Sequence, residues 1–472
     1  MVFQNNVLSG AGGSGTTVYA IDQSIRFNDD DSAYLSKTWS GAGDKQKFTF
    51  SFWVKRGNIT SRQILLSFRQ DVPLEFEADD TLRVYLFGTT ALNTNRLFRD
   101  PAAWYHIVLS VDSTQAVSSE RVRLYVNGQR ETSFSAASYP SLNASANIYT
   151  STLENYIGRI VNGSNYFDGY MAEIHFLDGI SYGPEFFGET TSNGLWIPKE
   201  YNGSYGTNGY KIDGRDSSDL GDDESGNGND FTANSLAAHD QVSDSPTNNF
   251  TTLNPIYADV TGINSITMAN GNLQGTGTSG QFDHKTATVN LPQSGKWYFE
   301  YYLGGLYTGF GICIVGQEGS ISSGYGFGSL STSQGFGFQN SIIYNSNSVT
   351  TNFGTGNLSA GTILNCAFDV DNNKVFLGLN GTYYASDAGT DGNPSAGTNP
   401  TVTTSFSLST NDIILGFYLS SSSGSAYLNF GQEGTFAGNT TAGGNSDSNG
   451  VGNFKYSVPS SYLALCTKNL GS

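Results

Sequence analysis

The chain has 472 residues, with 58 Gly, 27 Tyr and 30 Phe, and 23 Lys and Arg against 41 Asp and Glu, for a formal net charge of −18. That length accommodates two or three domains with full cores, and a Gly- and aromatic-rich, charge-poor profile points to an all-β protein with many turns. No cluster of cations exists to follow a phosphate backbone, which excludes nucleic acid as a partner. No run nears the ~20 apolar residues of a membrane span, and three cysteines with four scattered histidines supply neither a disulfide framework nor a His-rich metal site.

Met1 to Thr17 (MVFQNNVLSGAGGSGTT) is polar and Gly-rich. It cannot build a core element alone and reads as an arm, ordered by a partner or loose. Met1 to Ala20 has no basic start and no apolar segment, so no secretory signal is expected.

Residues 18–188 read as a first domain of short strands separated by Gly, Asn, Asp and Ser: SIRFN, AYLSK, FTFSFWVKR, ILLSF, LRVYLF, WYHIVLSVD, VRLYVNG, YIGRI and YFDGYMAEIHFLDG. In FTFSFWVKR, Phe48, Phe50, Phe52 and Val54 form one apolar face. Trp53 has the opposite parity, yet it is assigned to packing with Trp104 and Trp297. Gly183 to Gly188 reads as a single helical turn. Residues 189–255 read as a connector rich in Asp, Gly, Asn and Ser. Its anchors Trp196, Tyr201, Tyr205, Tyr210 and Phe231 suggest that it packs along a domain.

From residue 256 strands resume: GKWYFEYYL, TGFGICIVG, YGFGS, QGFGFQN, SIIYN, ILNCAFDVDNNKVFLGLNG, DIILGFYLS and SAYLNFGQ. One pattern occurs twice in the chain. At Trp104 to Gly128 and again at Ile363 to Gly381, an apolar strand ends in Val-Asp and an alternating strand ends in Asn-Gly. Val122, Leu124 and Val126 share a face, as do Val375, Leu377 and Leu379, and Cys366 reads as a small buried side chain. Long polar loops run over 383–401 and 438–453.

Three chemistries were weighed. Glycoside hydrolysis needs two opposed carboxylates. The nearest stretch, Glu173-Ile-His175-Phe-Leu-Asp178, lacks a Glu-x-Asp-x-x-Glu spacing and reads as an outward polar row, so no catalytic residue is assigned. Calcium takes six to eight oxygens. Asp213, Asp216, Asp222, Asp223, Asn227 and Asp230 form a candidate loop, with plain turn chemistry as the alternative. Trp39, Tyr166, Tyr383 and Tyr384 sit in polar turns and are candidates to stack on a sugar ring, or else anchor their loops.

The order SIRFNDDDSAYL, FTFSFWVKR, WYHIVLSVD…VRLYVNG, YFDGYMAEIHFLDG resembles the laminin-G-like branch of the concanavalin A-like lectin/glucanase superfamily over 24–188. The combination GKWYFEYYL, GFGICIV, CAFDVDNNKVFLGLNG, AYLNFGQEGTFA resembles a SPRY-type domain over about 270–470. The resemblances imply two antiparallel β-sandwiches of jelly-roll type that act as binding modules. With RFNDDDSAYL, SGNGNDFT and YLALCTKNL, the whole chain is similar to tail-fibre and lectin-like virion proteins of marine tailed bacteriophages. That resemblance implies a non-enzymatic virion protein docked to other virion proteins by its N-terminal arm, binding a host-surface glycan or receptor, and homo-oligomeric (a trimer if a fibre). The alternatives are a capsid or tail decoration and a glucanase-like enzyme.

Overall fold

A computed structural model describes residues 19–39, 41–68, 71–148, 154–257, 266–278, 283–305, 308–315, 335–339, 342–345, 348–351, 358–386, 389–419 and 424–471. The arm Met1 to Thr17 and the stretch YGFGS lie outside these residues. The chain divides into two compact units, Met1–Asn249 and Phe250–Ser472. Both are antiparallel β-sandwiches, as the sequence predicts. Among the described residues the one α-helix is Thr467–Leu470, and no helix is long and apolar enough to cross a membrane. Pro184–Phe186 forms the single predicted turn as a 3-10 helix.

In the first unit, one eight-stranded sheet runs in the order Gln129–Arg130, Val122–Val126, Tyr105–Asp112, Lys47–Arg56, Gly169–Asp178, Ser24–Phe27, Gln241–Val242, with Tyr210–Ile212 also paired to Gly169–Asp178. The other runs Phe134–Ala137, Thr89–Leu97, Thr81–Leu86, Asp71–Phe76, Gln63–Phe68, Glu154–Ile157, Tyr34–Thr38, Thr232–Asn234. The alternation read from FTFSFWVKR holds. Phe48, Phe50, Phe52 and Val54 enter the core between the sheets with Leu66, Leu74, Val84, Ile107, Leu109 and Phe176. Each such side chain removed from water contributes ~1.5–3 kcal/mol.

The duplicated hairpin is scaffold in both units. In the first copy Ile107, Leu109 and Val111 pair with Val126, Leu124 and Val122. In the second, Leu364, Cys366 and Phe368 pair with Leu379, Leu377 and Val375. Each ends in an Asn-Gly pair with positive φ at both residues, 47° and 77° at Asn127 and Gly128 and 49° and 88° at Asn380 and Gly381. That is the two-residue turn whose twist matches the strands. Gly128 is required twice over, since a Cβ there would also lie 2.4 Å from the Trp196 ring.

The predicted boundary at 188 is corrected. Residues 189–249 are not a connector between sandwiches. They add Thr232–Asn234 to one sheet of the first unit and Gln241–Val242 and Tyr210–Ile212 to the other. Its aromatic residues are core and cover: Tyr210 and Phe231 join the main core, and Tyr201 and Tyr205 pack with Phe187, Val108 and Leu177. Edge strands this short show almost no alternation, so composition alone reads them as linker.

In the second unit, a nine-stranded sheet is built on the path Ile266–Ala269, Gln274–Gly277, Ser425–Asn429, Lys296–Leu303, Ile363–Asp369, Lys374–Leu379, Thr382–Tyr384. It faces a six-stranded sheet ordered Asp283–Thr286, Ile413–Leu419, Thr308–Ile314, Gly335–Gln339, Ile342–Asn345, Ser348–Thr351. Phe299, Tyr301, Phe310, Phe368, Phe417 and Phe430 fill the space between them with Cys366, whose thiol burial pushes well up. Part of the predicted 438–453 loop covers the nine-stranded sheet, because Val451 packs with Phe454, Tyr462, Tyr298 and Phe376. Buried Glu300 pins this cover by accepting the Lys455 and Tyr456 backbone N–H groups, each at 2.8 Å.

A chain of residues 19–249 should unfold in urea as one cooperative transition. A chain ending at 188, stripped of three strands and the cover, should lose that transition and bind a hydrophobic dye.

Candidate functional site

Two outer faces of the first unit offer themselves as sites, and they differ. On the first sheet, Thr49, Ser51, Trp53 and Lys55 of Lys47–Arg56 point away from the core. They lie beneath a layer supplied by Tyr19, Ile21, Val242 and Trp196 near one end and by Phe187, Tyr201 and Tyr205 near the other. A narrow crevice with no room for a water molecule is lined by Tyr19, Ser51, Trp53, His106, Glu173 and His175 among others.

The chemistry of this crevice is set by hydrogen bonds. Trp196 Nε1 stands 3.0 Å from His106 Nδ1. An indole nitrogen can only donate, so Nδ1 accepts and Nε2 carries the proton, which goes to Ser51 Oγ at 2.9 Å. The Ser51–His106 pair therefore runs opposite to a nucleophile and its base. Burial, then the charge of His175, pushes His106 down to about 3, so the ring is neutral at neutral pH.

Glu173 sits at a bulge, where the register shifts between Ala172 and His175, with a φ of 49°. Its carboxylate accepts from Tyr19 Oη at 2.8 Å and meets His175 Nε2 at 3.0 Å and Lys211 Nζ at 3.2 Å. Burial alone pushes this carboxyl up, but His175, Lys211 and Tyr19 outweigh it and hold the group at about 2. A carboxylate held ionised is not a proton donor to a leaving group. The outward polar row expected at Glu173 and His175 is thus a covered, satisfied network.

The second sheet's outer face is different. Tyr156 stands opposite Ser36 on one neighbour and Ser67 on the other. Their sequence neighbours Leu35, Leu66 and Ile157 enter the core, so Tyr156, Ser36, Ser67 and, two residues from Ser36, Tyr34 face outward. The Arg159 guanidinium lies over the rings of Tyr34 and Tyr156, 3.7 Å and 4.2 Å from their centroids. Tyr156 Oη donates to Glu154 at 2.7 Å, and the Tyr166 ring lies 6.3 Å from that of Tyr34. Tyr34, Arg159 and Tyr166 are all half-exposed. Farther along the same face, Glu75 stands opposite Arg83. Its carboxylate bridges Arg83 and Arg62, with Arg62 Nη2 at 2.7 Å, and Arg83 Nε also meets Glu77 at 2.7 Å. This face thus offers planar aromatic surface beside charged hydrogen-bonding groups, the composition of a surface that grips polyhydroxylated ligands.

Of the predicted stacking residues, only Tyr166 lies here. Trp39 is corrected: it is 1% exposed, stacked 6.1 Å from Tyr210 and edge-on to Phe231, because the misassigned connector closes over it. Tyr383 and Tyr384 are half-buried and turned against the second unit's apolar clusters, so neither presents an open ring face. Tyr34, Tyr156 and Arg159 went unseen. The available signal was that YIGRI places Tyr156 and Arg159 three apart across a glycine.

The calcium loop is also corrected. Asp223 spends one oxygen on the Lys211 and Ser225 N–H groups and the other on Asn229 N and Ser225 Oγ. Asp213 is paired with Lys211 and Arg215 at 3.3 and 3.2 Å, and Asp216 caps Ser218. Asp230 accepts from Asp223 N, and Asn227 Nδ2 donates to the Gly206 and Gly209 carbonyls. Asp222 is pushed up by burial and by Asp230 and Asp219. The donors close separate turns instead of converging on one point, and no group of three His, Cys, Asp or Glu suited to a metal occurs among the described residues. The set does not fit the ion.

Residues 27–180 match the model of the concanavalin A-like lectin/glucanases superfamily. No curated protein matched the chain. Among solved structures, a candidate carbohydrate binding protein from Bacteroides ovatus is 17% identical, covering 46% of this chain and 59% of its own length, with a TM-score of 0.32. The SPRY domain of human HERC1 is 14% identical over 35% of this chain and 92% of that domain, with a TM-score of 0.24. The TRIM65 PSpry domain is 13% identical over 38% and 88%, with a TM-score of 0.25.

Because His106 is neutral when folded and protonates near its ordinary value of 6.5 when unfolded, the unfolded chain binds the extra proton between pH 6.5 and about 3. Stability should therefore fall as pH drops through that window, by ~1.4 kcal/mol per unit for one proton. Urea midpoints across pH 7 to 4 should show a shallower fall for His106→Gln than for the wild type. Below about pH 4.5, protonation of Glu173 in the unfolded chain, while the folded chain keeps its anion to about pH 2, adds to the fall.

Proposed function

We propose that this chain is a non-enzymatic glycan-binding protein whose binding surface is the outer face of the first unit's second sheet. The observation that carries this is the Tyr34–Tyr156–Tyr166 group gathered around Arg159, with Arg62, Glu75 and Arg83 along the same face. All of these residues lie within the stretch that matches the lectin/glucanase superfamily. A sugar ring has apolar faces and a rim of hydroxyls. Half-exposed Tyr34 and Tyr166 accept the former, while the partly exposed guanidinium groups of Arg62, Arg83 and Arg159 bond the latter.

We place the protein in the particle of a tailed bacteriophage, as a tail fibre or similar appendage that engages a host-surface glycan. This extension rests on the resemblance carried by RFNDDDSAYL, SGNGNDFT and YLALCTKNL. A decoration protein without a receptor role is the alternative within the particle.

A second, enzymatic reading draws on one observation. Glu75 and Glu77 both meet Arg83, and burial pushes the Glu75 carboxyl up. A pair of neighbouring carboxylates, one of them with its proton affinity raised, is what a glycosidase requires. The arginines flanking Glu75 favour its anion, which makes binding the better reading.

Adsorption of the purified protein to host cells and host polysaccharide tests the proposal. Binding without release of reducing ends is expected. Arg159→Ala and Tyr34→Ala should each weaken binding about tenfold, ~1.4 kcal/mol, with the urea midpoint little changed. New reducing ends abolished by Glu75→Gln would carry the enzymatic reading, and absence of both adsorption and cleavage would leave decoration.

A further inference from the structure

We propose that Lys55 and Asn249 become joined by an intramolecular isopeptide bond, formed by the protein itself with Asp244 as the proton carrier. The inference is independent of any glycan. Lys55 lies on the covered face of Lys47–Arg56, and its Nζ is 2.8 Å from Asn249 Oδ1 and 2.8 Å from Asp244 Oδ2. An amine, a carboxamide and a carboxylate thus meet at one point, and the lysine and aspartate side chains are 1% and 0% exposed.

Each partner is held in an orientation that suits acyl transfer. Trp104 Nε1 donates to Asp244 Oδ1 at 3.0 Å and Ser24 Oγ donates to the Asp244 carbonyl at 2.6 Å, leaving Oδ2 aimed at the amine. Asn249 Nδ2 donates to the Ala102 carbonyl at 2.6 Å. A backbone carbonyl only accepts, so this contact assigns the amide orientation and turns Oδ1 toward Lys55. Tyr170, Trp53, Trp104, Ile21 and Val242 wall the site, and the Tyr170 ring lies 5.5 Å from Nζ. Burial of Lys55 and Asp244 lowers the polarity around the amine, while the Asn249 carboxamide lies nearer the surface.

The step balances without an added reagent. Asp244 takes a proton from the Lys55 ammonium, a transfer that low polarity favours because it removes two buried charges. The freed Nζ lone pair then turns from Oδ1 and adds to Asn249 Cγ, one bond beyond the oxygen it touches at 2.8 Å. The Asp244 acid shares its proton with the developing oxyanion. On collapse, the Cγ–Nδ2 bond breaks and the nitrogen leaves as ammonium. Five hydrogens on the two nitrogens at the start become one on the new amide and four on ammonium, and Asp244 ends as it began. No oxidant or reductant is involved.

The bond would close a loop between residues 194 apart. It would fasten Asn249, the last residue of the first unit, to a strand inside its sheet. Tension on the chain leaving the unit at Asn249 would then pass into the sheet through a covalent bond.

The test uses the full chain. Intact-mass spectrometry of the wild type should show loss of one ammonia, and tryptic mapping should find the Lys55 and Asn249 peptides joined, with no cleavage after Lys55. Lys55→Arg and Asn249→Ala should each restore the full mass. Asp244→Asn should keep the full mass while circular dichroism remains that of the wild type; if it does not fold, the wild-type map alone decides. Two results overturn the proposal. One is a folded wild type of full mass, cleaved normally after Lys55 following days at neutral pH. The other is an ammonia loss that maps to a succinimide at one of the Asn-Gly pairs.

Discussion

Before any covalent bond forms at Lys55, the folding of the first unit depends on two buried ion pairs. Lys55 meets Asp244 and Arg26 meets Asp240, at 2.8 and 3.1 Å, with all four side chains buried. In each pair the cation belongs to a strand near the middle of the first sheet and the anion to residues 238–249, far along the chain. Such pairs add little net energy over a good apolar contact, but removal of one partner strands a charge at ~3–5 kcal/mol. Their effect is to allow one placement of the covering segment and penalise all others. Once it is placed, Gln241–Val242 pairs with Ser24–Phe27, and the outer face of that sheet is closed.

Closure divides the labour between the two outer faces. Beneath the cover, partners fix the tautomer of His106 and keep Glu173 ionised. The second sheet keeps half-exposed tyrosines and arginines on its outer face, which is the face proposed for binding. The second unit follows similar logic with other means: Glu300, itself buried, accepts two backbone N–H groups of the C-terminal segment and holds that segment across the sheet. In both units a sandwich face is closed by chain from the end of the unit, fastened by a buried carboxylate.

What the sequence by itself determined is the all-β class, most strand positions and the duplicated hairpin. Period-two alternation in FTFSFWVKR or VRLYVNG follows directly from one face being buried, and Asn-Gly turns are dictated by positive φ. The role of residues 189–249 was decided only in three dimensions. Strands of two or three residues carry too little alternation to register, and their pairing partners lie up to two hundred residues away in the chain. Trp39 shows the consequence: read in its own turn it is a free ring, and only Tyr210 and Phe231 arriving from that segment make it core. The acidic loop shows the same limit, since a run of Asp and Asn looks alike whether its oxygens converge on an ion or each closes its own turn. The site follows the same rule. Tyr166 was placed at the surface by its polar turn, and the structure leaves it half-exposed there. Tyr34, Tyr156 and Arg159, and likewise Lys55, Asp244 and Asn249, come together only through strand register and long-range closure, which no local pattern of residues encodes.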